Sequence, residues 1–476
     1  MRDFILVYIN GERRELKGDD VFLSLSDFLR ERAGLSGTKV VCSEGDCGAC
    51  TVLRASPQQS EFKFKSINSC ITFMYLLDGC HLLTVEGLLE NDRPSEIQYQ
   101  MVENNGSQCG FCTPGFVMAL AGLFEEKKKI GEQQIKNALT GNLCRCTGYA
   151  PIIDAGLSVR PKEVASLVKR YLTNECLADL LEIRKTPVAV ELRGVTFFSP
   201  VSLKDAVDWK VKNKKAKIMG AGTDLGVLVN KNKWNPTQIL GLNQIEELYT
   251  ISDSQKAVKV GARVTLTDLE NSLEEKIPEL ARLLKIFASP QIKNNATLVG
   301  NIANASPIGD TLPYLLAIGA QLEIQGPTEI RIIDINNFYT GYKKFDLAEN
   351  EIITFIHLPK PAEKEIHKIY KVSKRKDLDI CCINASFVMG LGSQQKIETI
   401  RVAFGGIAAT PIRLENLESF LHGKTFDSAT IDAAGVEILK GLSPLSDVRG
   451  TANYRKLLAK NLLRKFFAEV SSEREL

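Results

Sequence analysis

The 476 residues are 44% hydrophobic and 25% charged, with a formal net charge of +3. Such proportions belong to ordinary globular protein, at a length that predicts roughly three domains. A charge this close to neutral gives no pull toward nucleic acid or an anionic membrane surface, and no window approaches ~18 uninterrupted apolar residues.

The first ten residues alternate too regularly, and are too few, to read as a secretory signal, which argues for the cytosol. In a reducing compartment twelve cysteines are not expected to pair as disulfides. Four histidines leave imidazole-based metal sites poorly supplied.

Residues 4–9 and 12–17 flank Asn10-Gly11, the preferred two-residue turn, and predict a β-hairpin. Residues 24–31 read as a short helix with Leu25, Phe28 and Leu29 on its apolar face. Cys42, Cys47 and Cys50 follow, and Cys70 comes after a long gap. That is the spacing of a plant-type [2Fe–2S] loop. Gly45 and Gly48 let backbone N–H groups approach an anionic cluster without a Cβ in the way. The competing readings are buried cysteines around a glycine turn, or zinc. Three thiols within nine residues cannot all point into one apolar core, and the long loop suits a binuclear cluster better than one ion. Cys80 reads as a core residue.

The second set stands in Gln108-Cys109-Gly110-Phe111-Cys112-Thr113-Pro114-Gly115 and Gly141-Asn142-Leu143-Cys144-Arg145-Cys146-Thr147-Gly148-Tyr149. Between the pairs the sequence predicts two antiparallel helices. The first has Thr113 as N-cap, Pro114 in the first turn, and Phe116, Val117, Leu120, Leu123 and Phe124 at helical spacing. Lys127 to Lys129 sit near its last turn with Gly131 just past it. The second runs through Gln134, Ile135 and Leu139 to about Gly141. Antiparallel helices bring the thiol pairs to one end, where four thiolates need a cation. By spacing alone, zinc and iron–sulfur remain open for this set, and the ferredoxin-like set tips the choice to iron.

Residues 151–187 look like a connector with a helical stretch over 164–172, and Cys176 reads as structural. From about Gly194 strands, glycines and short helices take over. Residues 217–226 are an apolar strand entering a glycine-rich turn, which departs from the dinucleotide fingerprint of a βαβ unit. Residues 260–269 read as a strand and a Thr-capped helix. Residues 287–310 are rich in small, amide and hydroxyl side chains, suited either to a diphosphate or to a tight buried loop. Lys371, Lys374, Arg375 and Lys376 would ordinarily form a solvated face; Cys381 and Cys382 read as core in an apolar strand; residues 447–455 read as helical.

On the two cysteine phrases and three flavin-type phrases in order, the chain resembles the molybdenum hydroxylases, and within them the small iron–sulfur and flavin subunits of the bacterial xanthine dehydrogenases. The resemblance implies an α+β multidomain chain. Its parts are a β-grasp [2Fe–2S] ferredoxin domain (1–83), a four-helix [2Fe–2S] domain (84–155), a linker (156–190), a two-part α/β FAD-binding domain of the vanillyl-alcohol-oxidase type (191–366) and a C-terminal α/β flavoprotein domain (367–476). It implies that Cys42, Cys47, Cys50 and Cys70 hold one cluster and Cys109, Cys112, Cys144 and Cys146 the other.

Met219, Gly220, Ala221, Gly222, Thr223, Asp224, Leu225 and Gly226 would lie along the FAD diphosphate, and Phe287 near the flavin ring. Thr297, Gly300, Asn301 and Asp310 would contact the ribityl, phosphate and adenosine parts, and Lys371 would approach the flavin. Asp377 and Asp379 lie where the family admits NAD, and Gln108 matches the residue facing the molybdopterin of the large subunit. The loop departs from the family in reading Gly220-Ala221-Gly222 and in placing Leu225-Gly226 where an acidic residue is usual.

The implied activity is that of an NAD-dependent xanthine dehydrogenase small subunit. Electrons from hypoxanthine or xanthine would pass through both clusters to FAD and then NAD. No catalytic residue is expected in this chain, because the molybdenum site would lie on a partner in a cytoplasmic α2β2 heterotetramer. Alternatives are another molybdenum hydroxylase acting on an aldehyde, nicotinate or other heterocycle; a free-standing NADH:acceptor reductase; and a structural zinc protein with a nucleotide-binding domain.

Overall fold

The structure, a computed structural model, describes residues 1–57, 62–126 and 129–474. The chain divides into two compact units. One comprises residues 1–249 with 289–297; the other comprises 250–288 with 298–476.

The first unit is organised around a mixed five-stranded sheet. Its strands are β1 (Ile5–Ile9), β2 (Glu12–Leu16), β3 (Thr51–Ala55), β4 (Phe64–Asn68) and β5 (Cys80–Leu83), in the order β2-β1-β5-β3-β4. β1 and β2 pair antiparallel across the predicted turn, where Asn10 and Gly11 both have positive φ, 50° and 90°. β1 and β5 run parallel.

β1 reads almost without a polar break because both faces are covered. Ile5, Val7, Val52, Ile67 and Leu82 pack with Leu25 and Phe28 on one face, together with Val188, Phe197 and Met219 from further along the chain. Leu6, Leu53, Phe64 and Leu83 face the other way, into a core shared with Phe116, Leu120, Ile135 and Ile152. The predicted helix over 24–31 is a single α-turn, Leu25–Asp27, capped by Ser24 and continued by a π-helical turn, Phe28–Arg32.

The helical part consists of Glu96–Glu103, Thr113–Glu126, Glu132–Leu139 and Ala150–Ser158. Thr113 is the first helical residue rather than the cap, and its hydroxyl donates to Ser107. Lys127 and Lys128 lie outside the described residues; Gly131 is the N-cap of the following helix.

Residues 156–190, read as a connector, are well packed. Leu167–Tyr171 and Asn174–Ile183 are helices, and Leu167, Leu172, Cys176 and Leu180 join the shared core. Cys80 and Cys176 are buried, as expected. A four-stranded sheet completes the unit, with β6 (Val188–Leu192), β7 (Val195–Ser199), β8 (Lys217–Met219) and β9 (Gln238–Gly241) in the order β6-β7-β9-β8.

The second unit holds two antiparallel sheets and a ribbon. β10 (Ile251–Asp253), β11 (Ala257–Gly261), β12 (Gln321–Gln325), β13 (Ile330–Asp334) and β16 (Ile352–Pro359) form the first, ordered β10-β11-β16-β12-β13. β14 (Tyr339–Gly341) and β15 (Lys344–Phe345) form the ribbon. β17 (Glu365–Val372), β18 (Ile383–Leu391), β19 (Ile397–Gly405) and β20 (Ile412–Arg413) form the second sheet in sequential order.

Thr265 caps Leu266–Leu273 through its side chain, as its sequence predicts. Phe387, Phe404 and Phe466 anchor the C-terminal core, where the Phe387 and Phe466 rings stack at 4.6 Å. Cys381 and Cys382 are buried but sit just before β18 rather than in it. The C-terminal helix begins at Ala452, because Asp447 to Gly450 form a closed turn that uses Asp447 Oδ1 to accept the Arg449 N–H.

Candidate redox centres

The eight thiols sort into pairs. Cys42 is hydrogen-bonded to Cys47, and Cys50 to Cys70, with a further contact between Cys42 and Cys70. In the helical part Cys112 meets Cys144 and Cys109 meets Cys146. Nested pairing follows from antiparallel helices: the inner thiols of the two phrases meet, and so do the outer ones.

Among the described residues, no group of three or more His, Cys, Asp or Glu side chains is arranged to hold a single metal ion. Clustered thiolates of this kind are a donor set that both iron–sulfur clusters and structural zinc use.

The Cys112 and Cys144 thiols are pulled in opposite directions. Burial and its bond to Cys144 push the Cys112 thiol up to about 12. For Cys144 burial also pulls upward, but the Thr147 hydroxyl and backbone N–H outweigh it and hold the thiol below its usual range.

The ferredoxin-type loop is shaped by Gly45 and Gly48, with φ of 79° and 67°. Cys42 Sγ accepts the Glu44 N–H at 3.4 Å, and Asn68 Nδ2 approaches Cys50 Sγ at 3.9 Å. Cys50, Cys70 and Ile71 are buried under Val40, Val227 and Ile292.

Two bonds fasten this loop to the helical set. The Leu143 N–H donates to the Cys47 carbonyl at 2.9 Å, and Asn142 Nδ2 donates to the Gly48 carbonyl at 3.0 Å. One hydrogen bond therefore joins the backbone of a thiol in one set to the residue beside a thiol in the other. Gln291 Nε2 donates to Asn142 Oδ1 at 2.7 Å and steadies the junction.

The glycine-rich turn after β8 lies in the same unit. Gly222 has φ 77°, its carbonyl accepts the Gly226 N–H at 2.6 Å, and the short helix Leu225–Asn230 follows. A Cβ on Gly226 would stand 2.5 Å from the Ile71 carbonyl oxygen, beside Cys70. That close approach leaves no room for a side chain at position 226. From the same helix, Asn230 Nδ2 donates to the carbonyls of Ser43 and Cys70 at 2.9 and 2.8 Å. The Ala221 carbonyl accepts Asn295 Nδ2, whereas the Met219 side chain is committed to the core, where its sulfur accepts the Tyr75 hydroxyl at 3.0 Å. Thr297 is buried in this unit. The segment 287–310 is not one loop, since it contains the helices Pro290–Lys293 and Leu298–Asn304.

In the second unit, Lys371 Nζ pairs with Asp310 Oδ2 at 2.7 Å, and both side chains are buried. Burial raises the Asp310 pKa while Lys371 opposes that rise. Beyond this ion pair Lys371 Nζ finds no hydrogen-bond partner, and the Asp310 carboxylate meets only the Cys381 thiol. Orphaned buried polar atoms of this kind fit a polar ligand. Cys381, read from the sequence as a core residue and buried, lies beside this pair, its thiol donating to the Ile308 carbonyl at 3.2 Å.

Asn301 Oδ1 is taken by the Thr311 hydroxyl, Gly300 is exposed, and Phe287 is half-buried in a turn. Asp379 is engaged by Arg375, and Gln108 is exposed.

Four family comparisons agree with this arrangement. Residues 7–75 match the 2Fe-2S iron-sulfur cluster binding domain and 84–157 the [2Fe-2S] binding domain. Residues 191–361 match the FAD binding domain in molybdopterin dehydrogenase, and 368–470 the CO dehydrogenase flavoprotein C-terminal domain. In domain content the chain matches the iron–sulfur and flavin domains of the molybdenum hydroxylases.

The chain is 32% identical to a xanthine dehydrogenase of Emericella nidulans over 99% of its own length, and 31% identical to one of Oryza sativa over 98%. It spans about two fifths of those relatives, 39% and 40%. Among solved structures, carbon monoxide dehydrogenase from Hydrogenophaga pseudoflava aligns at TM-score 0.54 and 27% identity, over 56% of this chain and 94% of that one. Among the described residues no helix is long and apolar enough to cross a membrane.

Proposed function

We propose that this chain is the electron-transfer part of a xanthine dehydrogenase. It would receive electrons from a molybdopterin-binding partner in a cytoplasmic α2β2 heterotetramer and pass them to NAD. The observation that carries the reading is the Leu143 N–H to Cys47 carbonyl bond between two thiol sets, each sorted into pairs. The near full-length likeness to xanthine dehydrogenases supports the substrate class.

When bound, the clusters supply one-electron relays and FAD a converter between one- and two-electron chemistry. Cys42 with Cys47, and Cys50 with Cys70, would hold one cluster; Cys112 with Cys144, and Cys109 with Cys146, the other. Leu143 and Asn142 fix the spacing of the two loops, and Asn230 ties the buried loop to the helix after the glycine turn. By the family resemblance, Met219 to Gly226, Phe287, Thr297, Gly300, Asn301, Asp310 and Lys371 would contact FAD.

Expression of the chain alone, followed by iron, acid-labile sulfide and flavin analysis, tests the cofactors. Two reduced-state paramagnetic signals and one FAD per chain are expected; zinc without sulfide would overturn the reading. Co-expression with the molybdopterin-binding chain should give urate from xanthine with NAD. Turnover with an aldehyde or nicotinate instead would move the substrate, and NADH oxidation by the isolated native protein without any partner would favour a free-standing reductase.

A further inference from the structure

The turn from Cys144 to Tyr149 is more heavily constrained than ligand-holding requires. Cys144 Sγ accepts three donors: the Cys146 N–H at 3.4 Å, the Thr147 N–H at 3.4 Å and the Thr147 hydroxyl at 3.2 Å. The same hydroxyl oxygen accepts the Tyr149 N–H at 3.2 Å, which leaves its proton aimed at the sulfur. Tyr149 returns across the turn, and its own hydroxyl accepts the Cys144 N–H at 3.1 Å.

Gly148 and Tyr149 both have positive φ, 71° and 72°. Glycine adopts that region freely, but a bulky aromatic residue does so at a cost that the surrounding structure must offset. Here the offset is visible. The Tyr149 ring sits edge-on to Phe116 of the helix that begins beside Cys112, and its N–H and O–H both close the turn. The strained residue thus holds the Thr147 hydroxyl on the Cys144 sulfur.

Donors to a cluster-bound thiolate stabilise the reduced, more negative state, and hydrogen bonds to sulfur are among the levers that set a cluster's potential. Resting on the electron-transfer reading above, we propose that Thr147 is a positioning residue that raises the reduction potential of the helical-domain cluster, and that Tyr149 is the strap that keeps it in place. Taking up one electron from a reductant such as dithionite converts one ferric to one ferrous ion and breaks no bond, so the donors respond to charge alone. The side chain acts where it is felt most, because Leu143, one residue before Cys144, carries the N–H bonded to the Cys47 carbonyl.

The test is a dithionite titration of the full-length purified chain followed by low-temperature paramagnetic resonance, with the ferredoxin-type cluster as internal reference. Thr147→Val should shift one of the two signals, and only one, to lower potential, with iron and sulfide content unchanged. Thr147→Ser, which keeps the hydroxyl, should titrate as the parent does. Should Thr147→Val lose iron, a lowered potential in Tyr149→Ala, which removes the strap but not the hydroxyl, carries the proposal instead. Unmoved signals in both variants, equal shifts of both signals, or a serine variant that shifts like valine would overturn it. A parent protein with no cluster signals would instead overturn the electron-transfer reading beneath it.

Discussion

The ferredoxin-type and helical thiol sets use the same chemistry in opposite settings. Cys50 and Cys70 are 1% and 3% exposed, under Val227 and Ile292, whereas Cys109 and Cys146 are open to solvent. Around the open pair stand Phe111, Leu143 and Tyr149, which are 47%, 51% and 37% exposed. Apolar side chains left at the surface beside exposed thiols are what an interface needs, and a buried set beside the glycine turn is what an insulated relay needs. The difference teaches that burial, not ligand identity, sets the two apart, and under the proposed electron-transfer role it would give them different places in the relay.

Removing a thiol from each set breaks the comparison most sharply. Cys70→Ala should abolish one paramagnetic signal and lower the melting temperature strongly, since its side chain is buried with Cys50 and Ile71. Cys146→Ala should abolish the other signal with a smaller thermal penalty, which calorimetry would record. Next in size, Phe116→Ala opens a cavity in the core shared by the sheet and the helical part. It should cost about 3–5 kcal/mol in denaturant unfolding.

Acid should act through His81, which is fully buried on β5 in the same core region. Burial holds its pKa at about 4, against 6.5 for the free side chain. The unfolded chain therefore takes up this proton first, and stability falls as the pH drops from about 6.5 to about 4. The loss is about 3 kcal/mol at most and should be visible as a falling melting temperature. The smallest effect is expected for Asn142→Ala, which removes one donor from the Gly48 carbonyl and one acceptor from Gln291, while both keep Thr51. It should cost about 1–3 kcal/mol and slow reduction of the second cluster in stopped-flow traces.

Much of this was legible in residues whose chemistry is local. Asn10-Gly11 specifies its turn and Thr265 its cap, because each signal acts within a few positions of itself. The nested pairing of Cys112 with Cys144 and Cys109 with Cys146 also follows from two antiparallel helices. The Leu143–Cys47 bond, the Lys371–Asp310 pair and the burial of Leu167, Leu172 and Leu180 in the shared core were not legible, since each joins residues that only tertiary structure brings together. Phe28–Arg32 illustrates the same limit at short range: its apolar spacing is helical, yet the turn is wound as a π-helix by what it packs against.

Gly48 and Gly115 interlock. A methyl group on Gly115 would overlap the Gly48 carbonyl, and one on Gly48 would overlap the Gly141 carbonyl. A chimaera that borrows its helical module from a relative must therefore borrow the matching ferredoxin loop as well. Divergence in either surface is admissible only when the other yields in step.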